Sequence, residues 1–390
     1  MQEKECKPTM IYHHCTQATD AQGIHIYEIC QAFKKLGWNV EKVALAKEEV
    51  VVTKKHVESS LSWVHKLPTW LVEIMKICYN LRDIGRLWKA VRTHKPSFIY
   101  ERYSMYNIAG VIVAFWTKIP IAIEINSPLV YEQKIEKKLF WERLAQGMET
   151  WIVSHSTKTI AVTHVLKDML IKAGADPERI VVIPNGINIE EYPEEKYGRI
   201  LKDRLQKIAF VGWFRDWHRL PELIDALNRK KIFEQGTQLY LIGDGPARPE
   251  IEKAIQENKL ESQVIITGSL SRQEVIEKLA DIDIAIQPAA NIYACPMKLI
   301  EYMAAGRAII APKLPNIEEI LQDKVNAIFF TDGDWDDFAN KILYLMENPT
   351  LAKRLGQNAR QAILQRPYTW THNAKQTLEI LEIPNKESHK

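Results

Sequence analysis

The sequence Ala290-Asn-Ile-Tyr-Ala-Cys-Pro-Met-Lys-Leu-Ile-Glu-Tyr-Met-Ala-Ala-Gly306 joins two apolar runs, residues 282–288 and 308–312, each typical of a buried strand. Pro296 favours a helix start, because its φ is preset and the N–H that it lacks would have no partner there. Gly306 stands where a left-handed residue commonly ends a helix. The stretch therefore predicts a strand, a loop, a helix and a second strand, as in an α/β domain.

The predicted helix start has the chemistry of an anion site. The backbone N–H groups of Met297 and Lys298 have no partner inside the helix and lie at the positive end of its dipole, which suits a phosphate. The Lys298 side chain adds a positive charge. Glu301 lies three residues further on the same face, where a carboxylate can accept hydrogen bonds from two sugar hydroxyls. A solvated Lys–Glu pair on an amphipathic helix explains these residues equally well.

In the order and spacing of these residues, the sequence resembles the retaining glycosyltransferases of family 4, which have the GT-B fold. Their helix reads P-L-K-x-x-E-x-M-A-x-G, and this chain has Pro296-Met-Lys298, Glu301, Met303-Ala304 and Gly306. Many members carry another Glu eight positions earlier, where this chain has Tyr293. Since that Glu tends to contact the transferred sugar, the resemblance places Tyr293 near the sugar and leaves the identity of the sugar open.

Length and composition set broad limits. A chain of 390 residues is long enough for two or three domains, and 46% hydrophobic with 26% charged residues is typical of globular proteins. A net charge of +3 is too small to indicate nucleic-acid binding. Five cysteines without a C-x-x-C pair fit free thiols in a reducing compartment. With no apolar signal core or spanning stretch, we expect a cytoplasmic protein.

Short apolar runs alternate with amphipathic helices, which predicts open parallel sheets. With the resemblance, the expected fold class is α/β: a GT-B protein of two doubly wound Rossmann-like domains facing a central cleft. We expect an N-terminal acceptor-side domain at 1–187, a polar linker at 188–205 and a nucleotide-sugar-binding domain at 206–365. A C-terminal helix at 366–390 would cross back to the first domain and end in a polar tail.

Several first-domain residues stand where ligands bind in such sheets. Arg102, Glu124 and Asn126 follow or end predicted strands, and polar residues at carboxyl ends face the crevice. Gly23 lies in a predicted loop at 21–25, before a helix at 26–36. The resemblance assigns catalysis to Glu124 and Asn126, and an acceptor-side or cleft position to Gly23 and Arg102. A structural Glu124–Arg102 ion pair and an ordinary turn glycine are the alternatives.

The second domain carries the candidate donor-binding residues. Gly212 ends a predicted strand before the loop 213–219, in which the family usually has a Lys and an Arg for the diphosphate. Here His218 occupies the Lys position and Trp213 the Arg position. We therefore expect Arg215 and His218 to contact the diphosphate instead. The complete set implied by the resemblance is Gly212, Arg215, His218, Gly243, Gly268, Tyr293, Met297, Lys298, Leu299 and Glu301.

Other motifs suggest metals or membranes. His13, His14, Cys15 and His25 are interpreted as structural, because adjacent strand residues point to opposite faces. The Asp-x-Asp strings at 281–283 and 332–334 do not imply a metal, and the family needs neither a metal nor another cofactor. Residues 54–95 are rich in Lys, Arg and Trp, which fits either peripheral contact with an anionic membrane or an outer helix with long side chains.

The resemblance implies a metal-independent hexosyl- or related transferase. It would move a sugar from a nucleotide-diphosphate sugar, with retention of configuration, to the hydroxyl of a sugar, a lipid-linked acceptor or a small molecule. Such a reaction belongs to the synthesis of glycans, glycolipids or glycosylated metabolites. Two alternatives stay open: another GT-B enzyme such as a sugar-nucleotide epimerase, and a non-catalytic protein that binds a sugar or nucleotide.

Overall fold

The computed structural model describes residues 7–16, 21–44, 67–197, 205–366 and 368–384. They form two compact units. The first contains the described residues up to Pro184 and those from Trp370 onward, and the second is Asn185–Thr369. Within the described residues, no helix combines the length and the apolar character needed to cross a membrane.

The first unit is built on a parallel sheet with the strand order β2-β1-β3-β4-β5-β6. Its central strands are almost wholly buried, as parallel strands covered on both faces must be. The topological switch point, where the strand order reverses, lies between β1 and β3. The strands are β1 Thr9–His14, β2 Asn39–Ala44, β3 Phe98–Arg102, β4 Ile121–Ile125, β5 Lys158–Ala161 and β6 Ile180–Val182.

Helices pack around this sheet, and the last helix of the chain belongs to the same unit. Trp370 is buried at its start and meets the His25 ring edge-on, with the ring centroids 4.6 Å apart. The helices are α1 Ala21–Lys35, α2 Thr69–His94, α3 Ala109–Thr117, α4 Leu129–Ile135, α5 Glu142–His155, α6 His164–Lys172 and α15 Trp370–Ile380.

The second unit has a parallel sheet with the order β12-β11-β10-β7-β8-β9, so its switch point lies between β7 and β10. The strands are β7 Lys207–Val211, β8 Gln238–Ile242, β9 Val264–Gly268, β10 Ile284–Ile286, β11 Ala308–Pro312 and β12 Ile328–Phe330. The helices are α7 Glu194–Tyr197, α8 Leu220–Arg229, α9 Arg248–Glu257, α10 Arg272–Leu279, α11 Met297–Ala304, α12 Pro315–Glu318, α13 Trp335–Glu347 and α14 Pro349–Gln365.

The predicted pair of doubly wound α/β sheets is confirmed. Two local predictions are wrong, and others concern residues that the structure does not describe. Gly23 lies inside α1, which begins at Ala21, so the loop predicted at 21–25 is wrong. The sequence predicts one long helix from Tyr131 to Trp151, but the structure has two helices there, α4 and α5. Residues 54–66, 198–204 and 385–390 lie outside the described residues.

Candidate functional site

Lys298 reaches the switch point of the second unit from the first turn of α11. Its Nζ lies 4.0 Å from the centroid of the Phe210 ring on β7. A Cβ added to Gly212, which follows β7 with φ +150°, would lie 2.8 Å from the same Nζ. Burial lowers the pKa of the Lys298 amine to about 7, although the Glu301 carboxylate opposes this shift. The amine therefore occupies the crevice at the carboxyl end of β7, where ligands bind in such sheets.

The buried Tyr302 fixes the position of α11 between the two switch-point strands. Its hydroxyl accepts a hydrogen bond from the Val211 N–H at 2.9 Å and lies 3.4 Å from the Ile286 carbonyl, to which it donates. The pairing of β7 with β10 ends at Ala209 and Ala285. Past that point the Tyr302 hydroxyl links the two strands, which are no longer hydrogen-bonded to each other. It satisfies backbone groups that would otherwise be buried without partners.

The loop before α11 is held by side-chain amides. Asn185 donates to the Cys295 carbonyl at 2.8 Å, and Asn316 donates to the Asn291 and Ala294 carbonyls at 2.9 and 2.7 Å. These bonds fix the backbone that enters the helix, so that Met297 and Lys298 form its first turn. Tyr293 is buried within this loop. Leu299 is fully buried in the core, so it supports the helix start without presenting its side chain to a ligand.

Glu301 lies one turn behind Lys298 and pairs with a residue that the sequence did not indicate. Arg272, at the start of α10, places Nη1 2.9 Å from Glu301 Oε1 and Nη2 2.7 Å from Glu191 Oε2. Burial raises the pKa of Glu301, although Arg272 and Lys298 oppose it. Arg272 and Glu191 therefore orient the Glu301 carboxylate, and a solvated Lys298–Glu301 pair does not describe the site.

The loop 213–219 carries two exposed cations, Arg215 and Arg219, and one neutral imidazole. The Arg215 guanidinium lies 5.5 Å from the Trp217 ring centroid, and both side chains are exposed. His218 is buried, and its Nδ1 accepts a hydrogen bond from the Arg215 N–H at 3.2 Å. Burial, with Lys298 and Arg215 nearby, lowers the pKa of His218 to about 2. His218 is therefore a neutral donor through Nε2.

Three glycines let the strand ends of the second unit approach closely. A Cβ on Gly243, which has φ +140°, would lie 2.0 Å from the Gly212 carbonyl oxygen. Gly243 also forms an isolated bridge with Gly268 at the end of β9. The structure therefore brings the predicted residues Gly212, Gly243 and Gly268 to the same carboxyl edge of the sheet as Lys298.

The predicted first-unit residues form a buried ionic cluster. Glu124 Oε1 lies 2.8 Å from His25 Nε2, and Glu124 Oε2 lies 3.9 Å from Arg102 Nη1. Burial alone would raise the pKa of Glu124, but His25, Arg102 and Asn126 together hold it below its usual value. Glu124 is thus an ionised carboxylate. The ion pair between Glu124 and Arg102 is present, but His25 is the nearer partner of Glu124. Gly23 lies half a helical turn before His25 on α1.

The residues that the sequence missed carried no local signal. Arg272 follows Ser271 of a capping box and looks like an ordinary surface residue of the first helical turn. Glu191 falls in the segment that we expected to be a polar linker. The sequence indicates a structural role for His25 but not its partner, since the contact with Glu124 joins residues 99 positions apart. Only the tertiary structure shows these partners.

Two family models match the chain in succession. The model described as Glycosyltransferase Family 4 matches residues 22–191, and the model described as Glycosyl transferases group 1 matches residues 193–362. The alpha-monoglucosyldiacylglycerol synthase of Acholeplasma laidlawii is 24% identical over 378 residues, covering 89% of this chain and 92% of that protein. An uncharacterised glycosyltransferase of Methanocaldococcus jannaschii is 28% identical over 313 residues, covering 79% of this chain and 81% of that protein.

Solved structures share the same fold. Anabaena HepE in complex with UDP and glucose matches with a TM-score of 0.69 at 17% identity, covering 96% of this chain and 99% of that one. Sucrose-phosphate synthase from Thermosynechococcus elongatus matches with a TM-score of 0.75 at 16% identity, covering 96% and 98%. The chain therefore belongs to the family 4 type of glycosyltransferases and has the GT-B fold.

Proposed function

We propose that this glycosyltransferase moves a hexose or related sugar from a nucleotide-diphosphate sugar to an acceptor hydroxyl, with retention of configuration. The observation that carries the proposal is the position of Lys298. Its amine lies at the switch point of the second unit, on the first turn of α11, with the oriented carboxylate of Glu301 one turn behind. This is the arrangement that a diphosphate followed by a ribose requires.

Each donor residue has a distinct part in the proposal. Lys298 and the Met297 N–H receive the diphosphate, His218 donates through Nε2, and Arg215 contributes a mobile cation. Glu301 accepts hydrogen bonds from the ribose hydroxyls. Because negative charge grows on the diphosphate as the glycosidic bond breaks, cations and donors fixed around it stabilise the transition state more than the ground state. These groups supply the stabilisation in a reaction that uses neither a metal nor another cofactor.

The acceptor belongs in the proposal to the first unit, at Gly23, Arg102, Glu124 and Asn126. Glu124 is ionised and buried, so it can accept a hydrogen bond from an acceptor hydroxyl, while its lowered pKa makes it a weak base. The buried Asn126 amide interacts with Glu124, but its nitrogen makes no hydrogen bond of good geometry within the described part of the chain. Such a donor is available to a sugar oxygen.

Contact with a membrane surface fits a lipid-linked acceptor, and one relative is a synthase of glucosylated diacylglycerol. On the described part of residues 54–95, α2 exposes Leu81 at 79%, with the exposed cations Arg82, Arg86 and Lys89. The neighbouring α3 exposes Phe115 at 80% and Trp116 at 57%. Apolar and cationic side chains side by side suit the interface of an anionic membrane. We place the protein in the cytoplasm, peripheral at the inner membrane face.

A screen of donors tests the function. UDP-, GDP- and ADP-glucose are compared by thermal shift, and the donor that stabilises the protein is incubated with sugar and lipid-linked acceptors. NMR of the product then reports the anomeric configuration, which we expect to match that of the donor. Glu301→Ala should lose most transfer while remaining folded, whereas the matched control Glu347→Ala, an exposed carboxylate on α13, should not. Conversion of the donor without any acceptor would instead indicate an epimerase.

A further inference from the structure

A second group of reactive side chains lies at the switch point of the first unit. His13 ends β1, Cys15 follows it, and Asp83 comes from α2. One ligand atom from each residue lies within 4.8 Å of the others. His13 Nε2 is 3.0 Å from Asp83 Oδ2, and Cys15 Sγ is 3.6 Å from the same oxygen. The transfer reaction proposed above uses none of these side chains.

Two ligand-type atoms in this group are buried and lack directed partners. His13 is 0% exposed and Asp83 is 1% exposed. Among the described residues, His13 Nε2 and Asp83 Oδ1 make no hydrogen bond of good geometry, although Nε2 is close to Oδ2. Buried polar atoms are normally satisfied, and each exception needs an explanation. His13 Nε2 and Asp83 Oδ2 lie 3.0 Å apart, close to the separation of two ligand atoms that each bind one metal ion at about 2 Å.

The surrounding residues resemble the outer shell of a metal site. Glu101 Oε2 lies 2.6 Å from His13 Nδ1, which fixes Nδ1 as the donor and directs Nε2 toward the group. A carboxylate behind an imidazole is the usual support for a metal-bound histidine. Asn107 donates to both Cys15 Sγ and Asp83 Oδ2, at 2.8 and 3.0 Å, and so holds two of the ligands together.

Gly110 makes room for that support. A Cβ on Gly110 would lie 1.8 Å from Glu101 Oε2 and 2.7 Å from Glu101 Cδ. Any larger residue at this position would therefore displace the carboxylate from His13. The ligand set itself selects the ion, since a thiolate and an imidazole prefer zinc over magnesium or calcium. The Cys15 thiolate, the Asp83 carboxylate and the supporting Glu101 carboxylate bring three negative charges to this buried group, and a divalent cation compensates two of them.

We propose that His13 Nε2, Cys15 Sγ and Asp83 Oδ2 bind one Zn²⁺ ion, with the fourth position open to water. Cys15 is half-buried while the other two ligands are buried, so the ion enters from the Cys15 side. The site ties the end of β1 to α2 and stabilises the first unit, separately from the donor residues of the second unit. The sequence alone favours a structural role for these residues, since His13 and His14 point to opposite faces of a strand, and Asp83, 68 residues after Cys15, is not apparent there as a ligand.

Titration with Co²⁺ tests the site in the full chain after dialysis against a chelator. We expect one equivalent to produce a thiolate-to-cobalt charge-transfer band, which one equivalent of Zn²⁺ abolishes. Zn²⁺ at a hundredfold excess over its Kd should raise the Tm by about 5 °C. No charge-transfer band in the wild type, or a band that needs many equivalents, would overturn the proposal.

Variants assign the ligands. Cys15→Ser should remove the charge-transfer band, whereas the matched control Cys78→Ser, an exposed thiol on α2, should retain it. Gly110→Ala should weaken Zn²⁺ binding about 10- to 100-fold by displacing the supporting Glu101. A Cys15→Ser protein that keeps the band, or loss of the band in Cys78→Ser alone, would show that the ion binds elsewhere and would refute the site.

Discussion

The lowered pKa of Lys298 makes donor binding depend on pH. In the ligand-free protein this pKa is about 7, so at pH 8 most of the amine is neutral. A phosphate charge about 4 Å away, at an effective dielectric constant of about 20, favours the charged amine by about 4 kcal/mol. That energy corresponds to a rise in pKa of about three units. The bound amine would therefore stay charged up to about pH 10.

Donor binding must therefore take up a proton at any pH at which the Lys298 amine is neutral in the free protein and charged in the complex. Below pH 6 both forms carry the proton and affinity is constant; above pH 7 the affinity falls as pH rises. The expected increase in Kd between about pH 6 and about pH 8 is about tenfold, with nearly one proton taken up at pH 8. Sugar nucleotides are suitable ligands, because their diesterified diphosphate does not titrate in this range.

Isothermal titration calorimetry in buffers of different ionisation enthalpy measures both quantities. The experiment uses UDP-glucose, or GDP- or ADP-glucose if the thermal-shift screen selects it. Lys298→Met should bind more weakly at pH 6 and lose the proton uptake, while Lys231→Met, an exposed lysine of the same unit, should behave as the wild type. A wild-type Kd that is constant from pH 6 to pH 8, without proton uptake, would refute the placement of the diphosphate beside Lys298.

Three further predictions concern orientation, stability and the membrane. Arg272→Ala should weaken donor binding about tenfold, because the ribose-binding carboxylate loses its partner, and calorimetry measures this. Tyr302→Phe should lower the free energy of unfolding by about 1–3 kcal/mol, since it leaves the Val211 N–H buried without an acceptor, and urea denaturation measures the change. Arg82→Glu combined with Lys89→Glu should reduce cosedimentation with anionic vesicles at low salt. The expected loss of binding free energy is about 1 kcal/mol or more per charge removed.

Each of these predictions has a control. Arg272→Lys should restore part of the donor affinity, and an Arg272→Ala protein with unchanged affinity would remove Arg272 from this role. The exposed Tyr344→Phe should change the unfolding free energy by less than about 0.5 kcal/mol. If Lys231→Glu combined with Lys253→Glu reduced vesicle binding as much as the α2 variant, the membrane surface would not be α2 and α3.

The sequence was sufficient for features that depend on local chemistry. The apolar runs around 282–288 and 308–312 are strands, and Pro296 begins the helix that carries Lys298. The glycines at the ends of β7, β8 and β9 were also recognisable, and at Gly243 only glycine permits the close backbone approach. Local pattern and tertiary structure agree here, since burial and helix capping act over a few residues.

Features that depend on distant partners were not predictable in this way. The pairing of Arg272 with Glu301 joins residues 29 positions apart, and that of His25 with Glu124 joins two different secondary-structure elements. The neutral state of His218 follows from burial against Phe210 and from the nearby cations Lys298 and Arg215, of which only Arg215 lies in the loop itself. Gly23 by itself predicts a loop, whereas the helix already starts at Ala21.

The central claim is that the diphosphate of a sugar nucleotide binds at the start of α11. A crystal structure of the protein soaked with the donor selected by thermal shift tests it most directly. We expect density for the diphosphate at the backbone of Met297 and the amine of Lys298, with the ribose hydroxyls on Glu301. Density for the nucleotide at any other place, with these three residues unchanged from the free protein, would contradict the account.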